Sequence, residues 1–304
     1  HGETVGALSV GDIPLYRRVY APLLLEALFA PSPDAFGATD AADAERCADA
    51  AADALAALLD AHPDEVCALI LEPLVQCAGG MRMHHPTYLR RVRELCDTHG
   101  VFLIADEIAV GFGRTGTLFA FDQAGVQPDL MCVSKGLTGG FLPLCAVLAT
   151  DTIYDGFLDD SRERAFLHSH SYSGNPLACA AALASLDILE QDDVLARNRG
   201  TAAKMAALAA PFVSHPMVVE VRQTGMILAI ELHPEPENAE DGHAVEIAGR
   251  RGLRMYRAAL DRGVLLRPLG DVLYWMPPYC VDDAQLSLLA DATAAVLEEA
   301  ARCA

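Results

Sequence analysis

PTYLRRVRELCDTHGVFLIADE, residues 86–107, holds one helix and one strand with almost nothing between them. Proline opens the stretch, apolar residues recur at helical spacing as far as Cys96, and glycine stands at position 100. Residues 86–100 therefore predict a helix with both its start and stop signals. VFLIADE, residues 101–107, then runs without a polar residue until its two closing acids, the pattern of a strand buried on both faces. A helix leading directly into a buried strand is half of a βαβ unit, and that reading sets the fold class.

Working outward, similar apolar runs appear upstream in CALILEP (67–73) and downstream in DLMCVS (129–134) and LCAVLAT (144–150). Residues 39–61 carry a helical apolar period with Thr39 or Asp40 available as a cap. Strands alternating with helices predict an α/β protein with a mainly parallel sheet flanked by helices. Beyond Asn175 two helices run to about residue 210, where Pro211 and Pro216 break the chain. MVVEVRQTGMILAIEL (217–232) reads as an antiparallel pair. Residues 245–262 read as a helix, VLLRP and VLYWM as strands, and a terminal helix starts at Asp282. The expected organisation is a large domain over residues 1–210 and a smaller α+β domain over 211–304.

The 304 residues are 52% apolar and 21% charged, with a formal net charge of −20. That balance argues against nucleic acid and against anionic membrane surfaces, both of which need basic patches. No apolar run reaches the roughly 18 residues of a membrane-spanning helix, and a cytoplasmic location is the default expectation. Nine cysteines without a C-x-x-C pair read as reduced core thiols. His84-His85 and His168 with His170 lack partners at ligand spacing, so no metal site is expected.

Open parallel sheets collect functional groups at the carboxyl ends of their strands. Glu72, Asp106, Glu107 and Lys135 all fall there and should converge on one crevice. Lys135 has a second distinction: only it and Lys204 are lysines among 22 cationic residues. Arginine stays protonated, whereas a lysine amine can be turned into a neutral nucleophile. Lys204, in an alanine-rich helical run, reads as a solvated residue. An acid at one strand end and a lysine beyond the next suit pyridoxal 5'-phosphate, which needs an amine for its Schiff base and an acidic partner for its ring nitrogen. Gly136, Gly139 and Gly140 would let the backbone bend sharply beside it. A rival reading comes from GFGRTG (111–116), which matches G-x-G-x-x-G, with Asp129 standing 18 residues after Gly111. Against a nicotinamide cofactor, two acids would face its pyrophosphate and the helix that follows is short.

Four longer blocks add a resemblance: LEPLVQCAGGMRMHHP (71–86), the run from residue 102 to 140, HSHSYSGNPLACAAALASLDILE (168–190) and RPLGDVLYWMPPY (267–279). Together they resemble the class III pyridoxal-phosphate aminotransferases. The resemblance implies the fold type I of PLP-dependent transferases and a homodimer with shared active sites. It matches Lys135 to the Schiff-base lysine and Asp106 to the partner of the pyridine nitrogen. Ser169, His170 and Ser171 match a segment that reaches across the dimer to substrate and cofactor phosphate, with Ser171 where many relatives carry Thr. Arg267 matches an arginine that receives a keto-acid carboxylate, a task suited to its bidentate fork. Tyr274 and Arg114 are implied to line the same pocket, and Glu3 stands where the family commonly has Asp.

DEIA, GGMR and MPPY favour members that move an amino group from S-adenosylmethionine to 8-amino-7-oxononanoate in biotin biosynthesis. The alternatives are a member acting on an omega-amine or diamine, and a non-catalytic domain of the same fold. Relatives also carry a tyrosine just before the His-Gly of residues 1–2, and further upstream a Gly-Ser phosphate loop and a tryptophan, so a longer natural chain is expected.

Overall fold

The structure, a computed structural model, describes residues 1–234 and 251–302. Two compact units emerge from it. The first comprises His1–Val75 and His84–Leu195, the second Gln76–Met83 and Ala196–Ala304.

The first unit is built on a four-stranded sheet in the spatial order Ala68–Leu71, Phe102–Asp106, Leu130–Val133, Ala146–Ala149. The first three strands run parallel, as the alternation of helix and strand predicts. The fourth is antiparallel, which leaves the sheet mainly parallel, as expected. Its cause lies in the connection: residues 134–145 contain only the short 3-10 turn Lys135–Thr138, without the helix that a parallel crossover usually carries.

Two helices lie together beside this sheet. Ala41–Ala61 is capped by Asp40, whose carboxylate accepts the Asp43 N–H at 2.8 Å. Thr87–His99 ends at Gly100, which takes φ 67° in the left-handed region and donates to the Cys96 carbonyl. The faces they bury carry Ala52, Leu55 and Leu59 on one helix and Leu89, Val92 and Cys96 on the other. Arg91 ties them with 2.8 Å ion pairs to Asp49 and Asp53.

Burial of the strands on both faces is not what the structure shows. Leu103 and Ala105 are fully buried, but Phe102 is 39% and Ile70 36% exposed. Strand alternation puts Phe102, Ile104 and Asp106 on one face. Register adds Ile70, Cys132 and Val147 to that face. Asp106 thus belongs to the more open side of the sheet, where the apolar run alone predicts none.

The second unit has an antiparallel sheet ordered Val218–Thr224, Ile227–Leu232, Val272–Trp275, Pro268–Leu269. The expected pair at 217–232 is present, closed at Gly225 with φ 56°. The strand expected at 264–268 is reduced to Pro268–Leu269, which turns at Gly270 with φ 58° onto Val272. The helices Arg251–Leu260 and Asp283–Arg302 contribute Met255, Leu286 and Val296 to a core that includes Leu228, Ile230 and Trp275. Residues 245–250 of the expected helix, and Cys303, lie outside the described residues. Arg222 binds residues 76–83 to this unit by donating to the carbonyls of Met81 at 2.8 Å and Gly80 at 2.6 Å. Glu231 receives both Arg222 and Arg82.

Candidate active site

Sheet register brings three chain segments to one edge. Leu71 pairs with Ala105 and Asp106 with Cys132, so Glu72, Asp106 with Glu107, and Ser134 with Lys135 follow one another along the carboxyl ends of the parallel strands. The four candidates share that edge, but their side chains do different things.

Asp106 is 3% exposed. One carboxylate oxygen accepts the Ile108 N–H at 3.2 Å. Lys135 is exposed at the start of the 3-10 turn Lys135–Thr138, with φ 41°. Non-glycine residues rarely enter that left-handed region, which marks a backbone held by its surroundings. Ser134 helps hold it, donating its hydroxyl to the Leu144 carbonyl at 2.6 Å. The Lys135 amine shares a 2.6 Å hydrogen bond with His1 Nε2. The His1 ring thus lies against the candidate amine. Nothing in the periodicity of the chain points to it, because the contact joins positions 134 residues apart.

Glu107 turns away from this edge. It is fully buried, and its carboxylate accepts the N–H groups of Ala120 at 3.0 Å and Phe121 at 2.9 Å. Burial pushes its carboxyl up to about 7 despite those two hydrogen bonds, with smaller contributions from the negative charges of Asp122 and Asp106. Glu72 contributes its backbone carbonyl, 3.5 Å from His84 Nε2. His84 is buried, and desolvation lowers its imidazole to about 4. Among the described residues no group of three or more His, Cys, Asp or Glu could hold a metal ion.

The GFGRTG loop has a packing task. A Cβ on Gly111 would lie 2.9 Å from the Glu107 carbonyl, so the close turn back onto the strand end requires glycine there. No α-helix opens at its end; a 3-10 turn, Ala120–Ala124, follows instead. That leaves the dinucleotide reading without the helix N-terminus it needs. Arg114 is half-buried within the loop.

Each remaining candidate has its place within its own unit. Ser169, His170 and Ser171 lie in an exposed loop, where His170 Nδ1 accepts the Tyr172 N–H at 3.2 Å. Glu3 is exposed just ahead of the helix Val5–Val10. Arg267 and Tyr274 belong to the second unit. Arg267 is exposed, and Tyr274 stands opposite Ala229 in the sheet. Lys204, also in the second unit, pairs with Asp283 at 2.5 Å while its side chain stays 54% exposed, in keeping with a solvated residue.

Residues 1–297 match the family model described as Aminotransferase class-III. The chain is 44% identical to the adenosylmethionine-8-amino-7-oxononanoate aminotransferase of Nitratidesulfovibrio vulgaris, over 95% of this chain and 53% of that protein. It is 40% identical to the Helicobacter pylori enzyme of the same name, over 98% of this chain and 65% of that one. The chain thus spans about half to two thirds of the length of these relatives. Among solved structures it is similar to the Methanocaldococcus jannaschii protein of that name, with a TM-score of 0.85 at 33% identity, covering 98% of this chain and 66% of the other. A thermostable omega transaminase mutant from Pseudomonas jessenii matches with a TM-score of 0.87 at 30% identity, over 99% and 66% of the two chains.

Proposed function

From a chain that belongs to the class III aminotransferases, we propose an enzyme that takes an amino group from S-adenosylmethionine and delivers it to 8-amino-7-oxononanoate, forming 7,8-diaminononanoate. The observation that carries this reading is the sheet register that sets a buried carboxylate, Asp106, one strand away from the amine of Lys135. Sequence identity supports the substrate pair, at 32–44% to relatives bearing that enzyme's name, with 33% against 30% for the omega transaminase among solved structures. The fold comparison does not separate the two, since both TM-scores lie near 0.86 within 0.01.

The residues present suit pyridoxal 5'-phosphate at its ring and its reacting end. Asp106 supplies a negative charge that would keep a pyridine nitrogen protonated, and Lys135 supplies a primary amine. Bound there, the cofactor would serve as an electron sink for the bond broken at the substrate's alpha carbon. Lys135 is the general base and acid of the proposal: its amine removes the alpha proton from the donor and returns one to the acceptor. The His1 ring shares a hydrogen bond with that amine and would orient it. His170 and Ser171 are assigned to the cofactor phosphate. Arg267 is assigned to a substrate carboxylate, and Ser169, Arg114, Tyr274 and Glu3 to the remaining substrate surface.

A homodimer and a cytoplasmic location complete the proposal. Supporting the dimer, the loop holding Ser169 to Ser171 is flanked by Leu167, Tyr172 and Leu177, which are 86%, 73% and 71% exposed. No helix among the described residues is long and apolar enough to cross a membrane.

The test uses the full-length protein supplied with pyridoxal 5'-phosphate. Visible absorbance of lysine-bound cofactor should appear, should bleach on adding S-adenosylmethionine, and should be missing in Lys135→Arg. Bleaching by a diamine but not by S-adenosylmethionine would replace the donor. An unchanged spectrum in Lys135→Arg would overturn the assignment of Lys135.

A further inference from the structure

Glu107 follows the candidate acid directly, yet its bonds all run to the loop and the neighbouring strand. Its carboxylate holds Ala120 and Phe121, its carbonyl accepts the Gly111 N–H at 2.9 Å, and its own N–H donates to the Cys132 carbonyl at 3.0 Å. One residue thus fastens the beginning and the end of the loop spanning residues 107–121, together with the strand that leads into Lys135.

What the loop presents is Phe112. Its backbone stands at φ 56°, an uncommon conformation for a bulky residue and one that only surrounding packing sustains. Phe119, next to the clasped Ala120, meets the Phe112 ring edge-on, with centroids 5.5 Å apart and planes at 67°. Phe112 lies so close to Gly136 that a Cβ there would sit 2.9 Å from the Phe112 Cβ. Leu137 and Val133, on either side of Lys135 in the chain, share the same buried cluster.

We propose that Glu107 is a positioning residue: by clasping both ends of the loop it presses Phe112 onto Gly136 and so sets the turn from which the Lys135 side chain departs. The functional meaning rests on the reading of Lys135 as the reacting amine, but the mechanical claim does not. A carboxylate suits the task because both of its oxygens accept. A carboxamide would turn an NH2 toward one of the two N–H donors, and aspartate is one methylene too short to span them.

Two readouts on the full-length protein without cofactor test the relay, in wild type, Glu107→Gln and Phe112→Ala. The first is amide hydrogen exchange. The N–H groups of Leu137, Gly139 and Gly140 are bonded within the turn to Ser134, Gly136 and Lys135, so they report its integrity. Glu107→Gln should exchange about tenfold faster both at Ala120 and Phe121 and at these three amides. Phe112→Ala should speed the three turn amides and leave Ala120 and Phe121 slow. The second readout is competitive acylation of the two lysines, in which Lys204 serves as the internal control. The ratio of Lys135 to Lys204 labelling should change by about threefold or more in both variants, because nucleophilicity follows the amine's surroundings.

Faster exchange confined to Ala120 and Phe121, with an unchanged labelling ratio, would reduce Glu107 to a cap of the 3-10 turn and overturn the proposal. If Glu107→Gln loses protection throughout, Phe112→Ala decides: an unaltered Lys135 turn in that variant refutes the relay. A wild-type chain that takes up no cofactor would sink the proposed function while leaving both readouts able to judge the clasp.

Discussion

A Cβ placed on Gly136 would lie 2.9 Å from the Cβ and 3.0 Å from the Cδ2 of Phe112. Since backbone and Cβ positions yield less readily than a flexible side-chain end, Gly136→Ala should cost about 1–3 kcal/mol, within the usual range for overpacking. Thermal or denaturant unfolding measures it. Adding Phe112→Ala should restore only part of the loss, because alanine removes the ring atoms but keeps the Cβ 2.9 Å away.

Two buried groups of the first unit give opposing pH dependence. Glu107 has a folded pKa of about 7 against 4.5 for the free group, so it contributes stability below about pH 4.5 that is lost as pH rises to 7. His84, lowered from 6.5 to about 4, contributes stability above pH 6.5 that is lost as pH falls through 4. Over the shared window the two slopes offset each other in the wild type. Glu107→Gln removes the falling one. The stability of wild type minus variant should therefore decline by on the order of 3 kcal/mol between pH 4.5 and 7. Urea unfolding across that range measures the difference; a flat difference would mean that Glu107 titrates normally.

In the second unit, Trp275 is 1% exposed and donates its indole N–H to Thr293 Oγ1 at 3.0 Å. Thr293→Val keeps the shape and removes the acceptor. Leaving a buried donor unpaired costs about 1–3 kcal/mol, so unfolding should shift accordingly. Thr293→Ser retains the hydroxyl and should lose much less.

Asp106→Asn retains an acceptor for the Ile108 N–H while removing the charge. Transamination by the full-length enzyme is expected to fall at least about 100-fold, in the range lost when electrostatic stabilisation of a reacting group is removed. Melting temperature should stay within a few degrees of wild type, separating a chemical from a structural role.

Much of this is legible in the chain because strand ends and helix caps are local. Pro86, Gly100 and the acids closing VFLIADE mark their elements within a residue or two. Asp106 and Lys135 can be paired on paper because parallel strands align their carboxyl ends. Direction is harder to read: LCAVLAT is equally apolar forwards and backwards, and only the missing crossover helix turns it antiparallel. Burial is harder still, since Ile70 and Phe102 look like core residues until the face they share with Asp106 is found open. Glu107 reads as a site acid beside Asp106, and only the backbone of Ala120 and Phe121, 13 and 14 residues away, reveals its other use. His1 meets Lys135 across 134 positions, a separation at which local pattern carries no information.

The excursion of residues 76–83 into the second unit has a consequence for synthesis. During translation this segment leaves the ribosome long before Arg222 and Glu231, and Arg82 must wait for a partner 149 residues further along the chain. The second unit therefore cannot complete itself as a late, independent block. Expressed alone from residue 196, it would leave the Arg222 guanidinium, whose side chain is only 8% exposed, without the two carbonyl acceptors that Gly80 and Met81 provide. Any division of the gene at that boundary would separate a buried cation from half of its solvation.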